Sequence, residues 1–281
     1  LGSESSVEGI SIEDLKNYYA KYISPSVATM HVVGDISEEA VMSSLNDLQS
    51  KWKAKAVEIP VYNTPKAPDK SQVFFYDVPN AKQSVLNIGY PALAATDKDY
   101  YPATIMNYIL GGGGFASRLT QQLREGKGYT YGIRSGFSGT TEAGAFTISS
   151  GVRTNVSLES SELVKEILSN YGKEFTEKDL ETTKSNLIKS NARAFETSGA
   201  KLGMLQNISR FGWADDYAKG REAIVRDMTV EKIQELADAY LNPDKMFWLV
   251  VGDAKTQMKR LEKLGYGKPV LINEMVTPEK Q

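Results

Sequence analysis

From residue 73 onward the hydrophobic pattern switches between a strand period and a helix period. Val73-Phe74-Phe75-Tyr76 and residues 83–90 are rich in β-branched and aromatic side chains and read as strands. Residues 100–110 read as an apolar helix stopped by Gly111 to Gly114, and Phe115, Leu119 and Leu123 mark one face of a further helix that ends at Gly126 and Gly128. Residues 129–139 and 143–150 read as a hairpin. Amphipathic helices follow over 156–171 and 177–196, then a shorter one. Strands followed by helices, rather than strict alternation, predict an α+β fold with an antiparallel sheet packed against helices.

The pattern also repeats. Residues 11–35 (SIEDLKNYYAKYISPSVATMHVVGD) align without a gap to residues 229–253 (TVEKIQELADAYLNPDKMFWLVVGD), so that Asp35 meets Asp253 at an offset of 218 residues. Each copy has a candidate N-cap, Ser11 or Thr229, and Asp14 supplies a capping-box acid in the first. Ile12, Leu15, Tyr19 and Tyr22 then recur at helical spacing, as do Val230, Ile233, Ala237, Tyr240 and Leu241. Pro25 or Pro243 stops the helix, a β-branched and aromatic run follows, and Gly-Asp ends it. A second helix is expected over 38–48 and 256–264, which makes each copy helix–strand–helix.

An offset this large is too long for a solenoid and points to two copies of a whole domain. The expected division is residues 1–50 as the C-terminal tail of a first domain, 51–72 as a linker marked by Pro60, Pro65 and Pro68, 73–267 as a complete second domain, and 268–281 as a tail. The counterpart of residue 73 would then stand about 145 positions before the first residue of the chain. The body of the first domain is therefore expected to be missing.

Composition narrows the chemistry. Hydrophobic residues make up 41% and charged residues 24% of 281, which suits a packed globular chain and excludes a disordered tail, a fibre or a coiled-coil rod. The longest apolar run, Met246 to Val251, suits a buried strand and is far too short for a membrane span. The net charge is −2 with no basic block, which argues against phosphate-driven nucleic-acid binding. There is no cysteine and one histidine, His31, so thiolate nucleophiles, disulfides and ordinary zinc sites are out of reach. The start, Leu1 to Val7, lacks the basic-then-apolar order of a signal peptide, and nothing separates periplasm from cytoplasm.

Three segments together carry a family resemblance: Gly111-Gly112-Gly113-Gly114-Phe115-Ala116-Ser117-Arg118-Leu119 continuing through Leu123-Arg124-Glu125-Gly126-Lys127-Gly128-Tyr129-Thr130-Tyr131, the unit from Ser11 to Asp35, and its repeat at the C-terminus. The chain resembles, from about residue 8 to 266, the pitrilysin/insulinase family of zinc metallopeptidases, including the bacterial relatives of the mitochondrial processing peptidase. The resemblance implies a duplicated α+β domain. It also implies that the first domain of a catalytic member carries His-x-x-Glu-His and a further Glu ligand, with zinc activating a water and the motif Glu acting as general base. The second domain closes over the substrate and contributes an Arg and a Tyr seven residues apart, here Arg124 and Tyr131. The equivalent second-domain helix, residues 100–110, holds no His or Glu, so this chain alone is expected to be inactive and to bind no cofactor, with zinc in the missing domain or in a partner subunit.

Each candidate has a plainer structural reading. A guanidinium and a phenol are fixed donors suited to a substrate carbonyl or the oxyanion it becomes. Arg124 also suits a helix C-terminus, and Tyr131 is in phase with Tyr129, Ile133 and Phe137, as a core tyrosine would be. Gly111 to Gly114 reads as a helix stop or as a flexible loop near the substrate, and no Gly-Lys-Ser/Thr follows to make a phosphate loop. His31 aligns with Leu249 and reads as structural. Ser135 and Ser138 lack the Gly-x-Ser-x-Gly spacing and a second histidine to serve them. The charged run from Glu177 to Arg193 reads as a solvated helix face. The expected partners are a peptide or unfolded protein, which an exposed sheet edge could pair with, and a zinc-motif domain or subunit of the same family. The competing expectation is an inactive scaffold of this fold, as in core subunits of respiratory complexes.

Overall fold

A computed structural model of the chain describes residues 2–273; the expected tail beyond residue 273 lies outside the described residues. Among these residues the helices are α1 (Glu4–Glu8), α2 (Ile12–Tyr22), α3 (Glu38–Lys51), α4 (Tyr100–Asn107), α5 (Ser157–Glu174), α6 (Glu177–Arg193), α7 (Ser198–Phe211), α8 (Tyr217–Asp227), α9 (Val230–Tyr240) and α10 (Ala254–Gln257). The strands are β1 (Gln72–Asp77), β2 (Gln83–Ala92), β3 (Thr130–Ser138), β4 (Gly144–Arg153), β5 (Phe247–Gly252) and β6 (Val270–Leu271). Two compact units result: Leu1–Asn63 with Ala194–Ser209, and Thr64–Arg193 with Arg210–Gln281. No helix among the described residues is long and apolar enough to cross a membrane.

The second unit is an α+β sandwich. Its strands run in the order β3-β4-β2-β5-β1-β6. Pairing is antiparallel from β3 to β5, and β1 adds parallel pairings to β5 and β6. Parallel neighbours need a long crossover, and the helical segments between β1 and β5 supply it. Strict alternation sorts the faces. Phe146, Ile148 and Val152 of β4, Leu86 and Ile88 of β2, Trp248 and Val250 of β5, and Val73 and Phe75 of β1 are buried in one core with α4, α5 and α9. The opposite face exposes Asn87, Thr147, Ser149, Arg153 and Arg134, with Val85 and Phe247 partly uncovered. One row across this face reads Arg134, Ser149, Asn87, Leu249, Phe74 by register.

Hydrogen bonds tie the helices to one another and to the sheet within the core. The Tyr171 hydroxyl of α5 donates to the Met106 carbonyl of α4 at 2.6 Å, and burial pushes this phenol far above its ordinary range, so it remains a donor. Asn107 donates to the Ser135 carbonyl at 2.9 Å, which fastens the end of α4 to β3. The glycine run sits at this junction. A Cβ on Gly111 would lie 2.2 Å from the Ser135 hydroxyl, and Gly114 has φ of +59°. The run therefore lets the wide helical turn over Tyr108–Gly112 approach β3 closely and then reverse.

The first unit carries the first copy of the repeat, and the two copies differ. Both helices are capped as expected: Ser11 and Asp14 form the full capping box of α2, and Thr229 caps α9. The expected strand of the first copy does not form. Residues 28–33 are extended without a ladder, whereas their counterparts make β5. The reason is the absence of neighbours. β5 hydrogen-bonds β2 on one side and β1 on the other, while no strand is formed within the first unit among the described residues. Burial follows pairing: Trp248, Val250 and Ile233 are 1%, 2% and 0% exposed, and their counterparts Met30, Val32 and Leu15 are 57%, 47% and 56% exposed. Met30, Met42, Leu45, Leu48 and Trp52 instead line an open apolar pocket of 640 Å³.

Hydrogen exchange read by mass spectrometry will show the amides of Val32 and Val33 exchanging freely in this chain and those of Val250 and Val251 opening only with global unfolding; equal protection of both would contradict the pairing argument. Gly111→Ala will lower stability by about 1–3 kcal/mol in urea denaturation through overpacking against Ser135. Gly220→Ala in α8, with nothing within 4 Å of its Cβ position, will leave stability unchanged or raise it by up to about 1 kcal/mol.

Candidate functional site

Arg124 and Tyr131 are brought together by a short turn and a bulge. The helical turn over Thr120–Gly126 is anchored by Leu123, which is fully buried. Arg124 follows it and is half-buried, its guanidinium 4.7 Å over the Phe115 ring and its Nε 3.3 Å from Glu125. The turn closes with Gly128 N–H donating to the Arg124 carbonyl at 3.0 Å and Tyr129 N–H to the Leu123 carbonyl at 2.9 Å. Gly128 has φ of +60°, which lets the chain reverse into β3.

The alternation that put Tyr131 in the core is broken. Thr130 pairs with Val152 and Ile133 with Ser150, with a register shift between them. Both Thr130 and Ile133 point inward and the extra residue bulges out, leaving Tyr131 90% exposed. Hydroxyls hold the bulge. Thr130 Oγ1 donates to the Gly151 carbonyl at 2.7 Å and accepts from Gly132 N–H at 3.0 Å, and Ser150 Oγ donates to the Gly132 carbonyl at 3.0 Å. No hydrogen bond engages the Tyr131 phenol among the described residues.

Arg124 and Tyr131 line one cleft of 670 Å³, together with Lys82, Gln83 and Arg153. Backbone bonds stitch its wall: Arg153 N–H donates to the Tyr129 carbonyl and Thr154 N–H to the Lys82 carbonyl, each at 3.2 Å. The cleft lies beside β3, which ends the sheet and has β4 as its neighbour. The guanidinium, ammonium and phenol groups there are hydrogen-bond donors, suited to oxygen acceptors. Lys82 and Arg153 escaped sequence reading. The signal available, their places at the start of β2 and the end of β4, acquires meaning only once Gln83 pairs with Arg153.

The other candidates lie elsewhere. Arg118, in the same motif, is a brace: its guanidinium donates to the Tyr171 carbonyl at 3.3 Å, the Glu174 carbonyl at 2.6 Å and Asp179 Oδ2 at 3.0 Å, and stacks 5.0 Å from the Tyr171 ring. It ties the glycine-rich segment to the end of α5 and the start of α6. Ser135 is buried against Asn107, and Ser138 donates to the Ala145 carbonyl. His31 is half-buried in the extended segment of the first unit. No group of three or more His, Cys, Asp or Glu side chains able to hold a metal ion occurs among the described residues. With one His and no Cys, the donor set of this chain does not fit zinc.

Comparison with known proteins agrees with this architecture. The description "Peptidase M16 inactive domain" matches residues 9–187. The protein named "uncharacterized zinc protease YmxG" of Bacillus subtilis is 27% identical over 206 residues, covering 72% of this chain and 48% of the relative. The non-peptidase homolog YmxG of Helicobacter pylori is 25% identical over 260 residues, covering 91% of this chain and 59% of the relative. The chain thus spans about half the length of these relatives. The solved M16 inactive domain from Pseudomonas fluorescens superposes with a TM-score of 0.81 at 26% identity, covering 90% of this chain and 60% of that one. A chain of complex III2 from Candida albicans shares the fold, with a TM-score of 0.74 at 12% identity over 94% of this chain and 64% of its own. The chain belongs to the M16 peptidase family, as an inactive domain of that family.

Proposed function

We propose that this chain is the non-catalytic C-terminal portion of a zinc metalloendopeptidase. In this reading it holds an extended peptide at Arg124 and Tyr131 and completes an active site whose zinc motif lies in a missing domain or partner subunit. The observation that carries the reading is the cleft itself. Two donors seven residues apart line one cleft, and the phenol is held out to solvent by a built bulge rather than packed in the core. A guanidinium and a phenol donating to a peptide carbonyl, or to the oxyanion developing from it, are worth more in the transition state than in the ground state. The edge strand β3 offers backbone pairing to an extended chain with little demand on its sequence.

The unpaired first copy of the repeat supports the second half of the proposal. Leu15, Met30 and Val32 are exposed where their counterparts are buried. Burying each such side chain is worth about 1.5–3 kcal/mol, so residues 28–33 are expected to enter a sheet supplied by the missing domain or subunit, as β5 enters its own. Zinc chemistry belongs to that domain. A second reading, an inactive scaffold without peptide contact, draws support from the name of the Helicobacter pylori relative, a non-peptidase homolog.

The test uses the longer protein, or the complex with its zinc-motif partner. Arg124→Ala and Tyr131→Phe are each expected to lower kcat/KM, by on the order of 10²-fold for a lost transition-state donor, with zinc content unchanged by metal analysis. Thr130→Val, which removes the hydroxyl that holds the bulge, is expected to act in the same direction through Tyr131. Unchanged kcat/KM in both Arg124→Ala and Tyr131→Phe removes the assigned role and favours the scaffold.

A further inference from the structure

The cleft holds more positive charge than backbone recognition needs. Arg124 is already partly neutralised by Glu125 at 3.3 Å and stacked on Phe115. Among the described residues Glu125 is the one acidic residue lining the cleft, set against Lys82, Arg124 and Arg153. The Lys82 and Arg153 side chains are exposed, and no hydrogen bond or ion pair engages either among the described residues. Their main chains are fixed by the bonds to Thr154 and Tyr129, so both charges are carried by hydrogen-bonded backbone at the sheet rather than by a loose tail. Arg134 adds a further cation on the same sheet face, since its partner Ser149 and Arg153 lie on the outward side of β4. The clustering is local, because the whole chain carries a net charge of −2.

A peptide carbonyl is satisfied by Arg124 and Tyr131. Two uncompensated cations beside them add nothing for a neutral backbone, and they repel a basic peptide. They match carboxylates, which accept charge-assisted bonds from ammonium and guanidinium groups. We propose that Lys82 and Arg153 make this cleft select extended peptides that carry carboxylates, either acidic side chains beside the bound segment or a free C-terminus. The proposal rests on the peptide-binding reading above and adds a substrate class to it.

Fluorescence anisotropy with this chain tests it, using labelled peptides of one length and backbone composition. The set holds a neutral peptide with an amidated end, the same peptide with a free carboxylate end, an amidated peptide with internal glutamates, and an amidated peptide with internal lysines. The carboxylate-bearing peptides are expected to bind about tenfold more tightly than the neutral amide and the lysine peptide more weakly, with the differences shrinking as salt screens the exposed charges. The double variant Lys82→Glu/Arg153→Glu, at two exposed positions, is expected to reverse the order. A gain for the free end alone assigns the carboxylate to the C-terminus, and a gain for the glutamate peptide assigns it to side chains. Equal binding of all four peptides, unaltered in the double variant, overturns the charge selection and leaves peptide binding standing. No binding by any peptide overturns both.

Discussion

A β-strand is stable where its backbone groups find partners on both sides, and this chain shows the same unit with and without them. β5 enters between β1 and β2 and carries Trp248 and Val250 into the core. Its insertion pairs it with two strands that both precede it by more than a hundred residues in sequence. It also seats α9 against α4 and α5, because that helix leads directly into the strand through Pro243. The first copy has the same capped helix, the same proline and the same Val-Val-Gly-Asp ending. Without neighbouring strands its apolar residues remain exposed. Intrinsic preference proposes a strand, and backbone pairing decides whether it exists.

The cleft inherits its shape from that sheet. β4 lies between β2 and β3, so the end of β4 and the start of β2 present Arg153 and Lys82 on the flank where β3 begins. The bulge between Thr130 and Ile133 then turns Tyr131 outward, and buried hydroxyls hold it there. Behind this wall, Arg118 binds the last carbonyls of α5 and Asp179 of α6, and Asn107 binds Ser135. These groups fix the helical segments that deliver Arg124. A cleft built this way has its backbone fixed on each side, while the Tyr131, Lys82 and Arg153 side chains remain exposed.

Much of this was legible along the chain. The strands β1 to β5, the helices α4 to α6 and α9, and the caps at Ser11 and Thr229 followed from periodicity, glycine stops and capping residues, all of which act over a few residues. Arg124 and Tyr131 were singled out through the family motif, and both line one cleft. The exposure of Tyr131 was not legible, because strand alternation assigns it to the core and the bulge depends on Thr130 and Ser150 meeting from different strands. Lys82 and Arg153 were silent for the same reason. The short β6 was invisible as well: two residues carry no period, and their pairing with β1 creates the strand.

Periodicity, capping residues and the repeat along the chain were enough for the local elements, the duplicated unit and the α+β class. The tertiary structure decided which copy of the repeated strand was formed, which way Tyr131 faced, and which cations shared its cleft. Local preference is written in neighbouring side chains and can be read there. Pairing, register and the convergence of charges depend on residues far apart in the chain, and they take definite values only when the backbone has found its partners.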